Sequence, residues 1–157
     1  MKATYVYVIY IETTPEKVWK ALVDGEITRQ YWLHDNVSNW NPGSRWEHRR
    51  ADNSGTVDIV GKVLESVSPR RLVLTWVRPF EADNENKHSR VTFDIEPQGT
   101  VVCLTVTHED LEADSEFHKG MVAGWLKVLS NLKTFLETGR ILKIDWGDLK
   151  KLGRWEN

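Results

Sequence analysis

The sequence predicts an α+β domain, a curved antiparallel sheet wrapped around one long C-terminal helix, in the order β-α-α-β(5-6)-α. Three observations predict it. Between Ser115 and Thr138 the residues Met121, Val122, Trp125, Leu129, Leu132 and Leu136 recur three and four apart, one apolar stripe of an α-helix ~35 Å long. From Asn36 to Asp110 the pattern is strand-like alternation broken by turns. Two short helical patterns stand between a first strand and that run, which segregates helices from an antiparallel sheet. A strongly twisted sheet that curls around a helix leaves a cavity between them.

The elements follow in order. Ala3 to Glu12 is strand-forming throughout: Tyr5, Tyr7, Ile9 and Ile11 alternate with Thr4, Val6, Val8 and Tyr10. One face is expected to meet the core and the other to be partly covered. Thr14-Pro15-Glu16 starts a helix with a hydroxyl cap, a proline in the first turn and an acid at the positive end of the dipole. Asp24 can cap a second short helix through Ile27 to Trp32, and the pair forms a V that braces one end of the sheet. Asn41-Pro42-Gly43 turns, and Arg45 to Arg50 places Trp46, His48 and Arg50 on one side. After the Asp52-Asn53-Ser54-Gly55 hairpin turn, Thr56 to Val67 sets Val57, Ile59, Gly61 and Val63 on one face. Gly61 marks a bend or a close approach. Leu72, Leu74 and Trp76 continue the inward set, then Val91, Phe93 and Ile95, then Val102, Leu104, Val106 and His108. Asp114 or Ser115 caps the long helix, and Gly139 sits where the left-handed stop residue belongs. Its small residues Ala123 and Gly124 beside bulky Trp125 let the helix close a space without filling it.

Composition bounds the function. A chain of 157 residues suits one domain with a sizeable core. The net charge of −2 comes with interspersed acids and bases, and no basic block suggests nucleic acid. A single cysteine, Cys103, forbids an internal disulfide and suits a reducing cytoplasm. The N-terminal apolar run leads straight into strand and helix cap, which reads as structure and not as a signal peptide. No stretch reaches the ~20 apolar residues of an integral membrane span. Nucleotide-binding glycine loops, Cys-x-x-Cys, HExxH and Gly-x-Ser-x-Gly are missing, and the five histidines share no metal-ligand spacing, so neither metal nor cofactor is expected. Residues 1–139 make the domain. Residues 140–157 form a basic, amphipathic tail, read either as packed back on the domain or as a contact for a partner or a membrane surface.

The segments PEKVWKALVD, NPGSRWEHR, GKVLESVSPRRLVLTW, SRVTFDIEPQGTVVCLTVTHED and GWLKVLSNLKTFLETG, in that order, resemble a single-domain member of the START/Bet v 1-like (SRPBCC) superfamily. The branch they resemble is the one named after the C-terminal domain of the activator of the 90-kDa heat-shock-protein ATPase (AHSA-type), over about Tyr5 to Gly139. The resemblance implies a helix-grip fold enclosing a hydrophobic cavity. It implies little about activity, because the superfamily includes lipid carriers, polyketide cyclases, hormone receptors and co-chaperones.

Three functions are compatible with this reading. The first is binding or sequestration of a small hydrophobic, aromatic ligand, in a stress or detoxification role. The expected walls are Trp46, Val57, Ile59, Leu74, Trp76, Phe93 and Leu104 on the strands and Met121, Val122, Trp125 and Leu129 on the helix. Tyr31, Trp32, His48 and His108 are the expected polar anchors. The second is a co-chaperone-like interaction module with a heat-shock chaperone as partner; against it, the chain shows one domain, without the extra N-terminal domain of full-length activators. The third is a polyketide cyclase or dehydratase, with His48 and His108 moving a proton and Arg50 holding an oxyanion. For those three residues the competing reading is a strand-end position, wet or satisfied by backbone. Binding is ranked above catalysis, in a monomer or weak homodimer.

Overall fold

In a computed structural model, which describes residues 1–146, the chain runs β1 (Lys2–Ile11), α1 (Pro15–Val23), α2 (Gly25–Trp32), β2 (His34–Val37), β3 (Arg45–Arg50), β4 (Val57–Val67), β5 (Arg71–Trp76), β6 (Ser89–Gln98), β7 (Val101–Glu112) and α3 (Glu116–Thr138). The seven strands form one antiparallel sheet in the order β1-β7-β6-β5-β4-β3-β2. A meander needs only short connections, and here β7 returns to pair with the first strand. α3 lies against the inner face and buries Trp125, Val128, Leu129 and Leu132 there.

Local chemistry sets the helix ends. The Thr14 hydroxyl accepts from Lys17 N and the Asp24 carboxylate from Glu26 N, which starts α1 and α2. Of the two candidate caps for α3, Ser115 serves: its hydroxyl accepts from His118 N at 3.0 Å. Gly139 ends α3 at φ 74° with its N–H on Phe135 O. The core gathers Ile11, Val18, Leu22, Tyr31, Trp46, Leu72, Leu74, Phe93, Leu104 and Leu132, among others. Among the described residues, no helix is long and apolar enough to cross a membrane.

Two expectations are corrected. The outer face of β1 is open among the described residues: Val6, Val8 and Tyr10 are 55%, 53% and 52% exposed. In β4, Val57 does not share a face with Ile59. A β-bulge lets His48 pair with Ile59 but Arg49 with Val57, so Asp58 is the extra residue and Val57 turns to the outer side with Arg49. The bulge moves Asp58, 6% exposed, to the inner side in its place.

Gly61 is a close approach. A Cβ there would lie 1.9 Å from Thr75 O and 2.6 Å from Trp46 Nε1, the same two atoms that share a 2.8 Å hydrogen bond. The tail begins as a return along α3. Leu142 N donates to Asn131 Oδ1 at 2.7 Å, Lys127 Nζ donates to Asp145 O at 3.0 Å, and Trp146 packs against the core. The rest of the amphipathic tail, residues 147–157 with Leu149, Leu152 and Trp155, lies outside the described residues.

Candidate functional site

A cavity of about 90 Å³ lies between α3 and the β2-β3-β4-β5 half of the sheet. Its width follows from side-chain size. α3 presents Gly120, Ala123 and Gly124 to it, and a Cβ at Gly124 would meet nothing within 4 Å. Opposite them stand Trp32, Trp76 and Ile59, with Met121, Trp125 and Val128 closing one side. Lys127 and Trp146 complete the lining, so the first part of the tail contributes to the cavity.

Much of the expected gap is filled by the rings themselves. Trp32 and Trp125 approach to 5.5 Å between ring centres, as do Trp76 and Trp125, and Trp46 lies 5.1 Å from Trp76. Such tilted and offset pairs suit the ring quadrupoles and exclude water. What is left is well below the ~300–1,000 Å³ of pockets that hold drug-sized molecules.

Of the residues expected to line a cavity, the fold brings Trp32, His48, Ile59, Trp76, Met121 and Trp125 together on its wall. Tyr31, Trp46, Leu74, Phe93, Leu104 and Leu129 are packed in the core behind it. Tyr31 donates its hydroxyl to Ala21 O at 2.5 Å, and burial pushes its pKa up. Val57 faces outward, and Val122 is half-buried away from the wall. The sequence reading omitted Leu33, His34, Asp58, Gly120, Lys127, Val128 and Trp146. His34 and Asp58 carry a legible signal only once the register is known, since His34 pairs with Arg50 and Asn36 with His48 across β2 and β3.

The three titratable candidates fare differently. His108 is fully buried and does not reach the cavity. Trp125 Nε1 donates to its Nδ1 at 3.0 Å, so the ring proton sits on Nε2, which donates to Ser89 Oγ at 2.8 Å. Ser89 in turn donates to Trp76 O. With both nitrogens engaged, and burial lowering its pKa to about 3, His108 is a neutral strut tying α3 to β5 and β6. Arg50 has the inward parity expected, and a buried carboxylate holds it. Its Nε lies 2.9 and 3.1 Å from the Asp58 carboxylate oxygens, and the side chain is 8% exposed. The Asp58 carboxyl, which burial alone would raise, is held below the usual range by hydrogen bonds from His34 and Arg50.

His48 is the one of the three on the cavity wall. Asn36 Nδ2 donates to Leu22 O, which orients Asn36 Oδ1 toward His48 Nδ1 at 2.5 Å. The His48 ring stacks on His34, with centres 3.8 Å apart and planes 7° apart. Burial, then the charge of His34, keeps the His48 pKa well below its ordinary value, so the ring stays neutral. His34 faces acceptors on both sides, Trp32 O at 2.8 Å and Asp58 Oδ2 at 2.8 Å. The site is therefore an aromatic box with the neutral His48 imidazole on its wall beside His34 and Asp58, with Arg50 holding Asp58 from behind.

No curated protein sequence matches this chain. Solved structures do resemble it. The Aha1 dimer from Colwellia psychrerythraea superposes with a TM-score of 0.74 at 20% identity, covering 88% of this chain and 98% of that one. A protein from Mesorhizobium loti gives 0.71 at 25% identity, with 85% and 96% covered. An HSP90 activator from Plasmodium falciparum gives 0.67 at 21% identity, with 85% and 95% covered. At these identities the likeness of the first and the last is one of fold. The sequence itself matches the family described as "Activator of Hsp90 ATPase homolog 1-like protein" over residues 12–137, nearly the whole folded domain, and the chain belongs to that family.

Proposed function

We propose that the protein binds a small, mainly apolar aromatic molecule between α3 and the sheet. The observation that carries this reading is the cavity of about 90 Å³ walled by Trp32, Trp76, Trp125 and Met121. Burying ~250 Å² of a single-ring ligand at ~25 cal/mol/Å² is worth roughly 6 kcal/mol before association costs, so from this burial alone the Kd is tens of micromolar at best. The box takes one ring, which narrows the ligand to a monocyclic compound and leaves out multi-ring flavonoid-like or polyketide-like guests. Binding is preferred to cyclase or dehydratase chemistry because, of His48, His108 and Arg50, only His48 stands at the cavity, and its wall neighbours His34 and Asp58 are engaged with each other. The test is an NMR titration with toluene that follows the indole N–H resonances. Saturable shifts at Trp32, Trp76 and Trp125 are expected, and unmoved resonances up to the solubility of toluene would exclude the reading.

A second reading, a co-chaperone that stimulates a heat-shock-protein ATPase, is favoured by the family match over residues 12–137. It uses the outer surface and does not need the cavity. It predicts that the full chain raises the ATPase rate of a 90-kDa heat-shock protein, and an unchanged rate at saturating protein excludes it.

A further inference from the structure

The cavity-lining rings carry one buried polar atom with no hydrogen-bond partner among the described residues, the Trp76 donor, and close to it an acceptor, His48 Nε2. Trp76 is 3% exposed, lines the cavity, and its indole N–H has no acceptor. A buried donor left unpaired costs about 1–3 kcal/mol, so it calls for an explanation. His48 supplies the complement. Its proton is on Nδ1, because that nitrogen faces Asn36 Oδ1, and Nε2 is left with a lone pair. A second proton on this ring is opposed by burial and by the stacked His34, both of whose nitrogens already face acceptors. The two rings are neighbours on the cavity wall, 5.7 Å apart centre to centre.

We propose that the cavity recognises the hydroxyl group of a monocyclic phenol, whose oxygen accepts from Trp76 Nε1 and whose proton is donated to His48 Nε2. A hydroxyl is the smallest group that both accepts and donates from one atom. A carboxylate brings no proton for His48 and faces its lone pair with negative charge; a methyl group satisfies neither atom. The ring of the guest lies among Trp32, Trp76 and Trp125, and the volume of about 90 Å³ restricts it to one ring. This inference rests on the cavity-binding reading proposed above and adds the class of ligand.

The test ranks phenol, anisole and toluene on the unmodified full-length chain by NMR titration. Hydroxyl desolvation makes phenol the weakest of the three in a purely apolar pocket. With both hydrogen bonds made, phenol is expected to bind roughly 5-fold or more tightly than toluene, and anisole, which can only accept, to fall between. Trp76→Phe and His48→Phe, each checked for a native near-UV spectrum, are expected to lower the ratio of phenol to toluene affinity to one or below. Toluene binding as tightly as phenol overturns this inference and leaves the cavity reading intact. A phenol preference that survives in Trp76→Phe overturns it as well. Binding of none of the three compounds removes both readings.

Discussion

At Gly61 the Trp46 indole crosses the strand to reach Thr75 O, and the space for a side chain is occupied by backbone. Gly61→Ala must displace β5 or the indole. Overpacking of this kind costs about 1–3 kcal/mol, measurable as a lower urea midpoint with an unchanged slope. His108 makes a prediction in pH. Its folded pKa is about 3 against an ordinary 6.5, so between those values the unfolded chain binds a proton that the folded one refuses. Stability is full above pH 6.5 and is lost as pH falls toward 3, by about 2 kcal/mol at pH 5 from this residue alone. His48, depressed in the same direction, adds to the slope. Urea unfolding at pH 7 and pH 5 reads the effect, and His108→Gln should flatten it; an identical pH dependence in the variant would refute the assignment. Parity along the strands already placed His48, His108 and Arg50 inward. What it could not supply was the partner of each, since Asn36, Ser89 and Asp58 come from other parts of the chain or from the far side of a bulge.

The long helix does two jobs that conflict. Trp125, Leu129 and Leu132 anchor it, while Gly120 and Gly124 deny the sheet a full contact. Glycine inside a helix costs roughly 0.5–1 kcal/mol relative to alanine, and nothing within 4 Å of a Cβ at Gly124 opposes the change. Gly124→Ala should therefore stabilise the protein by about that amount, read as a higher Tm. Gly124→Leu should fill the cavity and abolish toluene shifts at Trp76 while the fold persists; retained binding in that variant would show that the guest sits elsewhere. The helix, its Ser115 and Gly139 ends and its apolar stripe were legible because spacing and caps are local properties. The bulge in β4 was not, because both Val57 and Asp58 fit an alternating pattern and only pairing with β3 decides which one faces in.

Across the whole molecule, the core cluster is built from residues up to Leu136, with Trp146 as the tail's contribution. We expect a chain ending at Gly139 to keep the fold, with a modest fall in Tm from the exposed Asn131 carbonyl and the lost Trp146 contact. We also expect the cavity to be more accessible in it, seen as faster acrylamide quenching of tryptophan fluorescence. Loss of cooperative melting would show that the tail belongs to the domain. By itself the sequence determined the order of elements, the curved antiparallel sheet around α3, the inward parity of most side chains and the family, since these depend on period, turn chemistry and local caps. Only tertiary structure decided how much of the gap remains open, that Trp46 and Phe93 serve as packing while Trp32, Trp76 and Trp125 form walls, and that His34, Asp58 and Arg50 gather behind His48. Close packing of large rings depends on distances between residues far apart in the chain, and a difference of one ring volume separates a solid core from a binding site.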